Sequence, residues 1–449
     1  MKESLLRLLW LASLVIAQLE SSSVEIVTFT GSSASLSAGE APAATVPSDF
    51  DGSTIATASV TGTASRSTGA SNATDSIVSS EATYTQLVGG TRTSSVLNGN
   101  ATASTSTATA PVNTQPCNNY PEFCDRKYSN ITEVCAHNSP FVRPRNVASN
   151  QELSVIQQLN DGIRMLQGQV HYVNGTLYYC HTSCDLLNAG TVEDYLRTVT
   201  QWVAAHPFDV ITIIFGNYNY QDEDDDGNRI VTATNFAEPI EASGLLQYIY
   251  HPPKTAMTLD DWPTLGELII SGKRVITFID YGPNTTEVPY LLWEFYNMWE
   301  TPFSPTSENF TCEIQRPDGL SENKSYEMMY MANHNLNVQV SIAGADLLIP
   351  NTADLNETNG VNGSGSLGEM ADKCAGIWDR PPNFLLVDYY NRGSPMSGSV
   401  FEVAARANNV TYSRECCGKN SASPAAFLES PSFMHSALVI IAVAAALII

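Results

Sequence analysis

Two near-continuous apolar runs constrain the fold of this chain more than any other feature. Residues 209–215 and 273–280 are rich in β-branched side chains, which is typical of strands buried on both faces of a sheet. Residues 151–162, 191–205 and 265–270 have the apolar spacing or the capping residues of helices. Buried strands that alternate with helices predict a parallel β/α architecture.

Polar side chains follow several of the predicted strands. Strand-like composition also occurs in 131–136, 163–170, 177–180 and 384–389. His137 follows the first of these stretches and His181 follows the third, while Asp280 ends the run at 273–280. Because functional side chains in a TIM barrel lie at the carboxyl ends of its strands, this pattern favours a TIM-type (β/α) barrel over a doubly wound sheet.

The amino-terminal end has the pattern of a processing signal. Residues 1–17 combine Lys2 and Arg7 with an apolar core, and the small residue Ala17 ends the segment. This order predicts a secretory signal peptide.

The carboxyl-terminal end is apolar over residues 437–449, which is short for a membrane-spanning helix of about 20 residues. Small residues around Asn420 and a mostly polar spacer precede it. We therefore assign 413–449 to a linker and a signal for a glycosylphosphatidylinositol (GPI) anchor, attached at Asn420. A tail-anchored helix is the alternative, although no cytosolic charge follows the apolar tail.

Between the signal and the first cysteine, residues 18–115 consist mainly of Ser, Thr, Ala and Gly with almost no aromatic side chains. Such a segment cannot bury enough apolar surface to offset its chain entropy. We predict a disordered, O-glycosylated stalk, followed by one folded domain at 116–412.

The folded domain has the composition of an exported glycoprotein. All 9 cysteines lie between Cys117 and Cys417, and the odd count leaves at least one thiol free or paired between chains. Eight Asn-X-Ser/Thr sequons also lie in this domain, at Asn130, Asn174, Asn284, Asn309, Asn323, Asn356, Asn362 and Asn409. With the signal peptide, they predict a secreted, disulfide-bonded glycoprotein. The formal net charge of −24 argues against a nucleic-acid-binding protein.

His137 and His181 are the candidate catalytic residues. Two histidines at the ends of neighbouring strands can hold one phosphate between them, one as general base and the other as general acid. Histidine suits both roles because its unperturbed pKa of about 6.5 lets one ring be neutral and the other protonated near neutral pH. Two structural histidines are the alternative interpretation.

Four stretches together resemble the phosphatidylinositol-specific phospholipase C X-domain superfamily, and most closely its secreted fungal PLC-like phosphodiesterases. They are Ala136-His137-Asn138-Ser139, Cys180-His181-Thr182, the segment 262–267 and the segment 383–389. The resemblance covers about 117–409 and implies an incomplete TIM-type barrel that cleaves a phosphodiester, typically in an inositol phospholipid.

The resemblance also implies roles for individual residues. His137 would take a proton from the inositol 2-hydroxyl, and His181 would protonate the departing diacylglycerol oxygen. Asp388 would orient a histidine, and Asn138 would bind or orient the substrate. We also expect Cys180 and Cys184 to form disulfides, with each other or with nearby cysteines, so that His181 is held at the end of its strand.

The chain departs from the family pattern on its second strand. Gln167 and Gln169 stand where bacterial members have an arginine and calcium-dependent animal members have acidic ligands. Where those animal members have a further glutamate, this chain has Phe215 or Gly216. Arg164 is a substrate-binding candidate, but it is an odd number of residues from both glutamines, which places it on the other face of the strand.

One acidic loop is a weak calcium candidate. Asp222, Asp224 and Asp226 have the spacing of an EF-hand loop start, but the twelfth position is Ala233 rather than glutamate. A solvated acidic loop is the alternative, and no other cofactor is expected.

Two functions therefore remain open. One is a GPI-anchored, metal-independent phosphodiesterase of the cell surface that acts on a phospholipid or another phosphodiester. The other is a catalytically weak or inactive barrel that serves as a cell-wall or carbohydrate-binding glycoprotein. The histidine pair favours the first function, and the two glutamines favour the second.

Overall fold

A computed structural model describes residues 113–342 and 345–418. The predicted signal peptide, most of the predicted stalk and the predicted anchor attachment at Asn420 lie outside the described residues. Among the described residues, no helix is both long enough and apolar enough to cross a bilayer.

The described part contains twelve strands. They are β1 (Glu133–Ala136), β2 (Met165–Val173), β3 (Thr176–Cys180), β4 (Asn188–Thr191), β5 (Ile211–Asn217), β6 (Val275–Ile279), β7 (Leu291–Trp293), β8 (Met298–Glu300), β9 (Met329–Asn333), β10 (Asn337–Ile342), β11 (Ala345–Pro350) and β12 (Phe384–Val387).

Eight of these strands form one parallel sheet in the order β7-β6-β5-β2-β1-β12-β9-β8. β7 and β8 are the two ends of this path, and a single turn of helix joins them in sequence. The sheet is a TIM-type barrel that stays open between its first and last strands. The expected incomplete barrel is confirmed.

Nine α-helices accompany the strands in the described part. They are α1 (Val155–Asp161), α2 (Val192–Ala205), α3 (Ala233–Ala242), α4 (Leu265–Ile270), α5 (Glu294–Asn297), α6 (Glu322–Ser325), α7 (Leu355–Thr358), α8 (Leu367–Trp378) and α9 (Ser399–Ala407). The helices expected from the sequence are present. α1 begins later than predicted because Ser154 and Gln157 form a capping box at its amino end.

The main difference from the sequence prediction concerns β3. β2 is longer than its barrel neighbours: residues 165–170 pair with β5, and the overhanging end pairs with β3 in an antiparallel hairpin. Asn174 and Gly175 form the turn with φ of 50° and 84°, as the Asn-Gly sequence favours. β3 therefore runs back down toward the barrel, and His181 reaches the site from a hairpin rather than from a barrel strand.

The core has two layers that follow from the alternation of side chains along each strand. One layer packs between the outside of the sheet and helices such as α2 and α8. The other fills the inside of the barrel with residues such as Cys135, Met165 and Phe278. β10 and β11 form a separate two-stranded sheet.

Four disulfides are described: Cys117–Cys124, Cys180–Cys184, Cys312–Cys374 and Cys416–Cys417. Cys180 and Cys184 are disulfide-bonded as expected, and of the two open alternatives they pair with each other. The leftover thiol is Cys135, which is buried inside the barrel.

Candidate active site

A ring of polar residues closes the inside of the barrel at the carboxyl ends of its strands. Each barrel strand has a core residue that points inward: Cys135, Met165, Ile214, Phe278, Leu292, Met298, Met331 and Leu386. Two residues further along, on the same inward side, come His137, Gln167, Gly216, Asp280, Glu294, Glu300, Asn333 and Asp388. The period of two along a strand thus brings three of the predicted site residues, His137, Gln167 and Asp388, to one face.

His137 is held by the end of β12. Its Nδ1 lies 2.8 Å from Oδ1 of Asp388, and the two residues are only 6% and 2% exposed. An Nδ1–H that donates to this carboxylate leaves a lone pair on Nε2, which is the form a general base needs. The side-chain nitrogen of Asn138 lies 3.2 Å from that Nε2.

Two residues of the loop after β1 strengthen this arrangement. The side-chain amide of Asn150 donates to Oδ1 of Asp388 at 2.9 Å. The side-chain amide of Gln151 donates to the backbone oxygens of both His137 and Val387, at 2.8 and 3.0 Å. Neither residue was identified from the sequence, because nothing in the local pattern shows that this loop folds back over the ends of two strands.

His181 is held by a different set of contacts. It follows Cys180 directly, inside the short loop that the Cys180–Cys184 disulfide closes. Its backbone N–H donates to the oxygen of Leu187 at 2.9 Å, and its ring packs edge-on against Phe141 at 5.2 Å. Burial and the neighbouring rings of His137 and His171 lower the pKa of His181 to about 3.

Gln167 and Gln169 connect the two histidine segments. Oε1 of Gln167 accepts the backbone N–H of Asn138 at 2.9 Å, and Oε1 of Gln169 accepts that of Thr182 at 3.0 Å. Asn138 and Thr182, each following a candidate catalytic histidine, have positive φ of 48° and 62°. The two glutamine NH₂ groups have no hydrogen-bond partner among the described residues. They remain available as donors to a ligand.

His171 belongs to this cluster, although the sequence favoured a structural role for it. Its Nε2 lies 3.1 Å from Oε1 of Gln169, and its ring stacks on Tyr218 at 4.0 Å. Burial lowers the pKa of His171 to about 4, although the negative charge of Asp222 acts to raise it. A neutral His171 with a proton on Nε2 donates to Gln169 and fixes which way that amide faces.

Arg164 does not join the cluster. It precedes β2, at the opposite edge of the sheet from His137. Its guanidinium donates to Asp209 at 2.7 Å and to the backbone oxygens of Leu159 and Ile163 at 2.8 Å. Its position on the outward face follows from the odd spacing to the glutamines.

Gly216, not Phe215, is the inward residue on β5. Phe215 packs outward against Phe236, whereas a side chain added at Gly216 would meet the Gln169 backbone and Oδ2 of Asp280 at 3.4 and 3.6 Å. The position therefore has little room for a side chain, and glycine there offers no side-chain ligand for a metal.

The half of the ring from β6 to β9 carries carboxylates. Asp280 accepts the backbone N–H groups of Asn217 and Tyr281, both at 2.7 Å, yet burial raises its pKa to about 6. Glu300 pairs with Arg316, whose Nε lies at 2.8 Å. Burial, followed by the charge of Glu300, raises the pKa of Glu294. This half therefore offers carboxyl groups and a single guanidinium that is already paired.

The acidic loop after β5 is organised around its own backbone. Oδ1 of Asp224 accepts the N–H groups of Asp226 and Asn228 at 3.0 and 2.8 Å. Among the described residues, the only three acidic, cysteine or histidine ligand atoms that converge belong to Asp161 and the disulfide-bonded Cys416 and Cys417. The carboxylates of Asp222, Asp224 and Asp226 do not converge in this way.

Comparison with known proteins agrees with the geometry. A family model described as PI-PLC X matches residues 123–401, which is more than half of the chain. The chain belongs to the PI-PLC X-domain family. The match spans the barrel and both histidine segments.

Two related proteins are from the fungus Arthroderma benhamiae. An "Uncharacterized secreted protein" is 56% identical over 79% of this chain and 80% of its own length. A "PI-PLC X domain-containing protein 1" is 43% identical over 62% of this chain and 86% of its own length. Among solved structures, a phosphatidylinositol-specific phospholipase C from Staphylococcus aureus is 13% identical, with a TM-score of 0.42, over 64% of this chain and 94% of that one.

Proposed function

We propose that this member of the PI-PLC X-domain family is a phosphoric diester hydrolase that cleaves an inositol phosphodiester with His137 as general base and His181 as general acid. The observation that carries the proposal is the buried His137–Asp388 pair at 2.8 Å, on the same inward face as the glutamines that hold both histidine segments. Buried carboxylate–histidine pairs at the carboxyl face of a barrel serve catalysis more often than stability.

The first step would use the lone pair on Nε2 of His137. This nitrogen takes the proton of the inositol 2-hydroxyl, and that oxygen attacks phosphorus. The Asp388 carboxylate stabilises the imidazolium that forms, as it already accepts from Nδ1. The new O–P bond closes a cyclic phosphate as the bond from phosphorus to the leaving oxygen breaks.

The second proton transfer would come from His181 to the leaving oxygen. In the free protein this ring is neutral, because its pKa lies near 3. A phosphodiester anion placed beside the ring favours the protonated form and raises that pKa. The acid is therefore formed by substrate binding rather than present beforehand.

The NH₂ groups of Gln167 and Gln169 would donate to the phosphate oxygens. They take the place of a metal or an arginine but carry no charge, and losing one strong charge-stabilising contact typically costs on the order of 3 kcal/mol of transition-state stabilisation. The residues present therefore support a metal-independent and slow enzyme.

An inactive barrel that binds a cell-wall component is the second candidate. The observation in its favour is the same pair of uncharged glutamines at positions where active relatives of either type place charge. The intact hydrogen bonds around His137 favour the enzyme, since a barrel without activity has no need of a buried carboxylate–histidine pair.

The decisive measurement is turnover of a fluorogenic inositol phosphodiester by the purified protein, with and without EDTA. We expect slow turnover that EDTA changes little. The matched control is the His137→Ala, His181→Ala double variant. Wild-type turnover no higher than that of the double variant, on inositol and glycerol phosphodiesters alike, would leave only the binding function.

The proposed location is the outer face of the cell. The relative named as a secreted protein supports export, and the order of small residues, spacer and apolar tail supports a GPI anchor at Asn420. Mass spectrometry of membrane-extracted protein should find the chain ending near Asn420 with a lipid attached. An intact Ile449 in that protein would rule the anchor out.

A further inference from the structure

Most glycosylation sequons of the described domain lie on its catalytic face, which we define as the loops that follow the carboxyl ends of the barrel strands. Five of the eight sequon asparagines are on this face: Asn174, Asn284, Asn309, Asn356 and Asn362. The other three lie at the opposite end of the barrel: Asn130, Asn323 and Asn409.

The fold leaves all eight asparagines accessible. Seven are exposed, and Asn284 is half-buried. N-linked glycans are bulky surface groups, so a buried sequon would be incompatible with the folded domain. The structure therefore admits a glycan at each position.

The fold places three of the five sequons near groups of the proposed mechanism. Asn174 is in the turn of the hairpin that carries His181. Asn356 and Asn362 stand on either side of Asn359, whose side-chain amide donates to the backbone oxygen of Asp388 at 2.9 Å. Glycans at these places would surround the opening of the barrel.

We propose that N-glycans on the catalytic face keep a bilayer away from the site, so that the substrate is a water-soluble inositol phosphodiester that reaches the site from solution. This inference rests on the proposed roles of His137 and His181. Its physical basis is desolvation: pressing several hydrophilic glycans against a bilayer would strip water from hydroxyl groups that gain no partner.

Exposed apolar side chains on the same face make it possible to test the inference by vesicle binding. They are Val147 (60% exposed), Val173 (38%), Tyr218 (47%), Ile230 (44%) and Met396 (54%). Val173 directly precedes Asn174 at the hairpin tip. Apolar surface of this kind favours contact with lipid. Removing the glycans should therefore expose a surface that binds vesicles.

The experiment uses the protein secreted from a glycosylating eukaryotic host. Glycopeptide mass spectrometry first measures occupancy at the eight sequons. The face variant removes the five sequons without disturbing the Asn174 turn or the contact from Asn284 to the Glu287 N–H. Its substitutions are Thr176→Ala, Thr286→Ala, Thr311→Ala, Asn356→Gln and Ser364→Ala. The control variant, at the other end of the barrel, carries Asn130→Gln, Asn323→Gln and Thr411→Ala.

Two readouts are compared: cosedimentation with vesicles of phosphatidylcholine and phosphatidylinositol, and turnover of a soluble inositol phosphodiester. We expect the face variant to bind vesicles about tenfold more tightly than the wild-type protein, a difference of about 1.4 kcal/mol. The control variant should bind as the wild type does. Turnover of the soluble substrate should be the same in all three proteins. Enzymatic deglycosylation of the folded wild-type protein should reproduce the gain if the face variant folds poorly.

Empty sequons on the catalytic face would overturn the inference, as would glycosylated wild-type protein that binds vesicles as tightly as the face variant. Failure of the proposed function has a different signature. In that case no variant turns over the soluble substrate, while occupancy and vesicle binding, which need no catalysis, still report on the glycans.

Discussion

The two histidine segments of the catalytic face are built in different ways. His137 follows a barrel strand and is held by side chains, since Asp388, Asn150 and Gln151 all contact it or its neighbour. His181 follows a hairpin strand outside the barrel and is held by a disulfide, by its backbone hydrogen bond to Leu187 and by the Gln169 side chain, which accepts the Thr182 N–H. One segment is positioned by buried polar contacts and the other by covalent closure.

The difference has an electrostatic consequence. His137 has a carboxylate at 2.8 Å. Among the described residues no carboxylate hydrogen-bonds to His181, whose neighbours are other rings and whose pKa falls to about 3. In the proposed mechanism the base is therefore prepared in the free protein, whereas the acid depends on the substrate. Variants on the two sides of the site should behave differently.

The largest effect should come from removing either histidine. His137→Ala and His181→Ala should each lower kcat by about 100- to 10,000-fold. If the two groups act as a unit, as proposed, the double variant should be little worse than the worse single variant. Steady-state kinetics of the three variants measures this. Losses that multiply in the double variant would show that the histidines act independently.

A large effect is also expected from Gln167→Glu, which keeps the acceptor for the Asn138 N–H but replaces the NH₂ donor by a negative oxygen. We expect kcat/KM to fall by about 100-fold with little change in Tm. Gln201→Glu adds the same charge at an exposed position of α2 and serves as the control. Equal activity of the two variants would remove Gln167 from phosphate binding.

Asp388→Asn changes only the contacts that hold His137. The amide is nearly isosteric but cannot stabilise the imidazolium, so kcat should fall by about 10- to 100-fold. The pH profile should change as well, because the imidazolium loses its charged partner. Asp372→Asn, which removes the exposed partner of Arg406, is the control and should leave both kcat and the profile unchanged. A Tm loss with an unchanged pH profile would indicate a purely structural role for Asp388.

Removing the Cys180–Cys184 disulfide changes only the loop that holds His181. The bonded residues are only 4 apart, so the double Cys→Ser variant should lose about 2 kcal/mol of unfolding free energy, while kcat falls several-fold. Cys312 and Cys374 are 62 apart, and their removal should cost about 4 kcal/mol without changing kcat. Chemical denaturation with parallel kinetics compares the two. If removing Cys312–Cys374 lowers both the unfolding free energy and kcat more than removing Cys180–Cys184 does, the loop does not position His181.

The smallest expected effect is a change in the pKa of the His181 ring when phosphate binds. In the free protein the His181 ring should stay neutral from pH 8 down to about 4, since its pKa is lowered to about 3. Saturating inorganic phosphate should raise that pKa, because the anion favours the protonated ring. Ring chemical shifts in NMR measure the titration of His181. An unchanged His181 titration with phosphate bound would contradict its proposed role as the acid.

Much of this protein was determined by its sequence. The alternation of buried strands and helices predicted the barrel, and the histidines, Gln167, Gln169 and Asp388 were all identified as site residues. These predictions depend on local patterns: side chains alternate along a strand, so a polar residue two positions beyond an inward core residue continues the same face. The outward position of Arg164 followed from the same rule.

Tertiary structure alone decided the rest. The sequence placed His181 at the end of a strand, and the Asn174-Gly175 pair is a local signal for a hairpin turn, but only the structure shows that β3 pairs with the overhanging end of β2 outside the barrel. Asn150 and Gln151 join the site through contacts between segments that are distant in sequence, whereas His171 follows Gln169 on β2 by the period of two. Hydrogen bonds of this kind depend on where loops fold back after the barrel has formed, and no periodicity along the chain records that position.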